Sequence, residues 1–191
     1  MQDVFLKRMA QSAKIAEDAC DRLKNAVENG SACVLLQAPQ DYFRAKQALR
    51  KAFVTPVERE DLFLIHAGLL QIRRAAEESC AAVCMLPVGA RPEFTREVQI
   101  LCEAARGITV CCERFHKRKE RSFSQTEQAL EQALEAVFDA RMTRCKKIAK
   151  NFQNNVLQTV KNAEFCDRIN VLERTLDQTA RLLMAAAMKN I

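Results

Sequence analysis

The sequence predicts an all-α protein built from six helices. The chain of 191 residues contains four glycines, four prolines, one tyrosine and no tryptophan, and its long remaining stretches are rich in residues that favour helices. Apolar residues recur at spacings of three and four, which is the pattern of an amphipathic helix. Two prolines and one glycine in the segment 86–92 break this pattern near the middle of the chain. We therefore expect two three-helix halves, pseudo-repeats of about 1–86 and 92–191, in one domain spanning 1–191.

The first two helices are predicted on either side of a glycine. The first covers residues 2–27, and Gly30 after it suits the left-handed conformation that ends many helices. Its apolar stripe comprises Phe5, Met9, Ala13, Ala16, Cys20, Leu23 and Val27. The second helix is expected over 41–53. A start at Ala32 stays open, because Pro39 would break or kink a helix that began there.

The third helix is predicted over residues 56–85, because capping residues mark its beginning. Thr55 is a good N-cap, and Pro56 suits the first helical position, where its missing N–H is not needed. Acidic side chains, which the positive end of the helix dipole favours, fill the first turn: Glu58, Glu60 and Asp61. The apolar stripe of this helix comprises Leu62, Ile65, Leu69, Ile72, Ala76, Cys80 and Val83.

Three further helices are predicted after the break. They cover 92–116, 124–152 and 156–188, and Ser124 with Glu127 can form a capping box at the start of the second of them. The stripe of the first comprises Phe94, Val98, Leu101, Ala105, Ile108 and Cys112. The stripe of the second comprises Leu130, Leu134, Val137, Phe138, Met142, Cys145, Ile148 and Phe152. The stripe of the third comprises Val160, Ala163, Ile169, Leu172, Leu176, Leu183 and Ala187.

Composition and charge argue against several classes of protein. No stretch approaches the ~18 consecutive apolar residues that cross a bilayer, and the N-terminus lacks a signal-peptide core, so we expect a cytoplasmic protein. The nine cysteines are then expected to be reduced, with either Cys111 or Cys112 exposed because adjacent helical residues point in different directions. A net charge of +6 with few aromatic residues does not indicate nucleic-acid binding. No phosphate-binding glycine loop and no nucleophile–histidine–acid motif occurs, so we do not expect an enzyme.

A short motif at the start of the third predicted helix indicates a family. The segment 53–61 reads Phe-Val-Thr-Pro-Val-Glu-Arg-Glu-Asp and resembles the signature of the PhoU-like proteins that accompany Pit-type phosphate transporters. The resemblance implies a six-helix PhoU-like bundle. It also implies a non-catalytic accessory or regulatory protein of phosphate uptake, which binds a Pit-type transporter at the inner face of the membrane. Whether the chain forms a homo-oligomer stays open.

The resemblance further implies a metal site in the C-terminal half. PhoU-like proteins carry Glu/Asp-x-x-x-Asp motifs, and a spacing of four puts both carboxylates on one helix face. The predicted ligands of an iron, zinc or manganese ion are Glu135, Asp139, Glu173 and Asp177. The alternative is that no metal is bound and these acids form a solvated or salt-bridged face. In the first half, positions where the family carries acids hold other residues: Leu70, Gln71 and Arg74.

A basic segment after the fourth predicted helix is a candidate contact for an anion or a partner. It comprises Lys117, Arg118, Lys119 and Arg121, which can meet anionic headgroups or an acidic loop of a transporter, or can form a solvated turn. Two other functions stay open. The chain can be a metal-storing or metal-sensing bundle that uses the carboxylates of its C-terminal half, or a structural bundle whose function is self-assembly.

Overall fold

The protein is all-α over the part of the chain that the structure describes. The computed structural model describes residues 2–30, 59–84, 86, 92–117, 123–154 and 156–189, and these contain five helices and no strand. The helices are α1 (Gln2–Asn29), α2 (Arg59–Val83), α3 (Pro92–Lys117), α4 (Phe123–Asn154) and α5 (Val156–Met188). The predicted helix 41–53 and the caps Thr55 and Pro56 lie outside the described residues, so five helices are described where six were predicted.

Four of the helices form a ring around the core, and α4 lies against one side of it. α1 packs on α2 and α3, while α5 packs on α2 and α3 from the opposite side. α4 packs chiefly on α3 and also contacts α5. No described helix combines the length and the apolarity that a membrane span requires.

The apolar stripes predicted for α1, α2 and α3 form the core. Every residue named above for these three stripes is buried, and so are the stripe residues of α5 from Ile169 onward. Phe165 of α5 meets Phe94 of α3 edge to face, with ring centroids 4.9 Å apart. Because each large apolar side chain stabilises the fold by about 1.5–3 kcal/mol when it is buried, this core supplies the main favourable free energy of folding.

Two glycines have roles that depend on the lack of a side chain. Gly30 ends α1 with a φ of 65° and donates its N–H to the carbonyl of Ala26, which confirms the predicted left-handed cap. Gly68 lies in α2 against Thr179 of α5. A β-carbon at Gly68 would lie 2.3 Å from Oγ1 of Thr179, so a larger residue here would push the two helices apart.

The stripe predicted for α4 is partly wrong. Leu130 and Val137 are buried and Leu134 is half-buried, but Phe138, Met142 and Cys145 are exposed. At the start of α5, Val160 and Ala163 are likewise exposed. The physical reason is that α4 contacts the bundle along a narrow line, which turns Arg144 inward and leaves the other half of the apolar stripe outside. The side chains of Ile148 and Phe152 lie outside the described residues.

The expectations for the cysteines need two corrections. Cys111 and Cys112 are both buried, because α3 has α1, α4 and α5 as neighbours and therefore buries adjacent positions. Burial raises the pKa of the Cys111 thiol to about 12, so this thiol stays protonated and unreactive at neutral pH. Cys80 is disulfide-bonded, so the expectation of reduced cysteines is wrong for this residue.

Candidate functional site

A groove of about 660 Å³ runs between α4 and α5. It is lined by all four carboxylates that were predicted as metal ligands: Glu135, Asp139, Glu173 and Asp177. Glu131 extends the acidic row by one turn of α4, and Leu134, Phe138 and Met184 supply apolar wall. The regular spacing of the acids on each helix therefore does bring the two pairs to one place. What they can bind depends on their other neighbours.

A cluster of polar side chains lies next to the groove and shares Glu173 with it. Arg144 of α4 points inward and donates through Nη1 to the carboxylate of Glu97 on α3. Its Nη2 lies 2.7 Å from Oδ1 of Asn170 and 3.4 Å from Oε1 of Glu173, both on α5. The side chains of Arg144 and Glu97 are each 7% exposed and that of Glu173 is 3% exposed. One guanidinium thus joins three helices.

Two buried carboxyl groups share this single guanidinium, and the pKa of one of them, Glu173, is raised. Burial raises the pKa of Glu173 to about 7, Arg144 opposes that shift, and the hydrogen bond and charge of Glu97 add to it. Arg141 lies 4.0 Å from Oε2 of Glu173, which is too long for a hydrogen bond. Oε2 of Glu173 accordingly has no hydrogen-bond donor among the described residues, although it is buried at the groove.

The outer part of the groove is acidic. Asp177 accepts from Arg181, with 2.9 Å between Nε and each carboxylate oxygen. By contrast, three exposed acids of the α4 row have no ion-pair partner within the described ranges: Glu131, Glu135 and Asp139. Counting the lining residues, five carboxyl groups face three arginines, a formal charge of −2 when all are ionised. The groove is therefore a local negative region on a chain whose net charge is +6.

Two of the four predicted metal ligands have arginine partners in the structure. Over the residues described, no group of three or more His, Cys, Asp or Glu side chains lies close enough to hold one. Glu173 already pairs with Arg144, and Asp177 already pairs with Arg181. Cationic side chains thus occupy positions next to the carboxylates where a metal would need free oxygens.

The other predicted site residues lie elsewhere. Lys117 is the last residue of α3 and its side chain is outside the described residues, as are Arg118, Lys119 and Arg121 entirely. In the first half, Arg73 is buried and donates to Glu77 at 2.8 Å.

Sequence reasoning missed Glu97, Arg144 and Asn170. Charged residues beside an apolar stripe are usually solvated, so a buried role for Glu97 and Arg144 was not expected. One signal was present for Arg144, because it lies seven residues after Val137 and fourteen after Leu130 on the same line of α4.

Neither a scan against protein-family models nor a search of curated proteins finds a match for this chain.

Proposed function

We propose that the protein is a non-catalytic accessory or regulatory protein of phosphate uptake that binds a Pit-type transporter. The observation that carries this proposal is the segment 53–61, which resembles the PhoU-like signature. Its last residue, Asp61, lies in the first turn of α2 and accepts a hydrogen bond of 3.0 Å from Nζ of Lys189, just beyond the end of α5. The described end of the segment therefore lies beside the C-terminal end of α5.

The same proposal includes the PhoU-like architecture of six helices in two halves. α1 packs on α2 in the first half, and α3 makes a smaller contact with α5 in the second. The pairs then join through α1 with α3 and through α2 with α5. In this arrangement α4 is the middle helix of the second half, and the segment 41–53 would be its counterpart in the first.

The chemistry of the described side chains favours binding over catalysis. Ser12 and His66 approach to 3.2 Å, but both are buried between α1 and α2, where a substrate has no access. In the open groove, by contrast, the polar groups are carboxylates and arginines without a nucleophile beside a base. A groove with apolar residues among charged ones has the composition of a protein-binding surface, as an accessory protein of a transporter would use.

Co-purification tests the proposal directly. The full chain and an affinity-tagged Pit-type phosphate transporter are produced in the same cells, and the transporter is purified in mild detergent. We expect the chain to accompany it, and to be absent when an unrelated tagged transporter is purified in the same way. Phosphate uptake by these cells should also change when the chain is withdrawn. A chain that never accompanies the transporter and leaves uptake unchanged would contradict this function.

The alternative function is a metal-storing or metal-sensing bundle. The observation that favours it is that Glu135, Asp139, Glu173 and Asp177 line one groove. For an iron, zinc or manganese ion to bind there, it would have to replace the arginine partners of Glu173 and Asp177. Metal analysis of the purified protein distinguishes the two functions. Stoichiometric metal that is lost in the Glu135→Gln, Asp139→Asn double variant would support the alternative.

A further inference from the structure

We propose that the groove between α4 and α5 binds a basic amphipathic segment of the partner protein. Lysine or arginine side chains of that segment would pair with the acidic row Glu131, Glu135 and Asp139, and its apolar side chains would pack on Phe138. The partner, a membrane transporter, is taken from the proposed function. The chemistry of the bound segment is inferred from the side chains that line the groove. The inference depends on that function for the identity of the partner only.

The acidic row is the first observation that favours a cationic occupant. Its three members follow one another at a spacing of four, so their carboxylates lie along one line of α4. Like charges at this spacing slightly destabilise a helix. No described cation pairs with these three carboxylates. The row spans the part of α4 from residue 131 to 139. Cationic side chains on a bound segment would remove this repulsion.

A buried acceptor is the second and independent observation. Oε2 of Glu173 has no hydrogen-bond donor, although only 3% of the side chain is exposed and the residue lines the groove. A buried carboxyl oxygen without a hydrogen-bond partner is unfavourable, and an N–H of a lysine or arginine can donate to it. The nearest arginine of the same groove, Arg141, stays 4.0 Å away. A cationic side chain that enters the groove would supply the missing donor.

The apolar wall is the third observation. Phe138 is 59% exposed in the middle of the groove, between Glu135 and Asp139 in the sequence. Leu134 and Met184 line the same groove and are half-buried. An exposed aromatic side chain surrounded by charged groups is the usual composition of a protein-binding surface, where aromatic residues form the anchors and charges form the rim.

Charge and length favour a basic segment of another protein as the occupant. In a symmetric dimer of this chain the same patch would face itself, so the acidic row would meet an identical acidic row. An anionic lipid surface would be repelled by the row for the same reason. Cytoplasmic loops of membrane proteins, in contrast, carry an excess of lysine and arginine. The groove extends along α4 from residue 131 to 141, about 15 Å at 1.5 Å per residue, which accommodates about ten residues of a bound helix.

Peptide binding to the purified full chain tests the groove. The probe is a fluorescein-labelled synthetic helix of about fourteen residues with lysines along one face and leucines along another. We expect saturable binding by fluorescence anisotropy that weakens as salt is added. Replacing the acidic row by Glu131→Lys, Glu135→Lys and Asp139→Lys together should weaken binding by at least about 30-fold. Phe138→Ser alone should weaken it by about tenfold.

Matched variants separate the groove from total charge. Exposed acids on other faces of the bundle are replaced in the control triple variant: Asp18→Lys, Glu103→Lys and Glu164→Lys. It changes the net charge by the same amount and none of its positions lines the groove, so it should bind the probe within about twofold of the wild type. Leu64→Ser, at another exposed apolar residue, is the control for Phe138→Ser. Thermal melts followed by circular dichroism establish that each variant is folded.

Several outcomes would overturn the proposal. The first is that the two triple variants lose binding equally. The second is that a probe whose lysines are replaced by glutamates binds as well as the basic probe. The third is that light scattering shows a dimer of the wild type which Phe138→Ser converts to a monomer. Co-purification with the transporter then separates this inference from the proposed function. If the groove variant still accompanies the transporter, the groove inference fails and the function stands. If the probe binds the groove but no transporter is recovered, the function fails and the groove stands.

Discussion

α2 and α4 are attached to the bundle by different physical means. α2 lies between α1 and α5, buries an unbroken apolar stripe, and approaches α5 so closely at Gly68 that no side chain fits there. α4 lies on one side of the ring, and its inward line ends in Arg144, which is bonded to Glu97 and Glu173. The attachment of α2 therefore depends on shape and that of α4 depends on charge. Of the two, the attachment of α4 should respond more strongly to pH and to changes in single charges.

The largest effect is expected when Arg144 is removed. Arg144→Met leaves Glu97 and Glu173 buried without their cation, and breaking a buried pair in this way costs about 3–5 kcal/mol. Urea denaturation followed by circular dichroism measures the loss in the free energy of unfolding. The control is Arg74→Met in α2, because Arg74 is 82% exposed and pairs with Glu78 at the surface, so its removal should leave stability nearly unchanged. Similar losses in the two variants would contradict a charge-dependent attachment of α4.

A smaller effect is expected from pH, and its sign follows from Glu173. The pKa of this group is about 7 in the folded protein, raised mainly by burial, against about 4.5 when it is exposed in the unfolded chain. The folded state therefore holds the proton more tightly, so this contribution to stability is complete below the lower pKa and is lost as the pH rises through the higher one. Between about pH 5 and pH 8 the loss should be on the order of 2–3 kcal/mol.

Glu173→Gln isolates this contribution. The amide keeps the shape of the side chain and does not titrate, so unfolding of this variant should depend less on pH over the same interval. Denaturation curves of the wild type and the variant at a series of pH values provide the measurement. If the two proteins lose stability in parallel as the pH rises, other groups are responsible and Glu173 is not held protonated in the fold.

The same contrast explains what could be predicted from the sequence. In α1, α2 and α3 the spacing of apolar residues predicted burial correctly, because each of these helices has neighbours that cover a broad face. In α4 the spacing alone put Phe138 inside, whereas the structure buries Arg144. Periodicity shows which residues share a face. It does not show which face turns inward when charged groups from two other helices converge on one side chain.

The candidate site was predictable to a similar extent. The acids of the C-terminal half were expected to meet, and all four line one groove. The spacing of four that identified them is a local property of each helix. Their pairing with Arg144 and Arg181, and the buried position of Glu97 opposite Glu173, depend on how α3, α4 and α5 pack. That information is not contained in any one segment of the sequence.

The smallest effect on stability is expected at Phe138, which is the exposed part of the α4 stripe. Phe138→Ser should change the free energy of unfolding by less than about 0.5 kcal/mol, because 59% of this residue is already in contact with solvent. Val137→Ala, at the neighbouring buried position, should be clearly more destabilising because it removes packed methyl groups. Urea denaturation of the two variants makes the comparison. A large loss at Phe138 and none at Val137 would mean that α4 is rotated about its axis, so that its whole apolar stripe faces the bundle and Arg144 faces solvent.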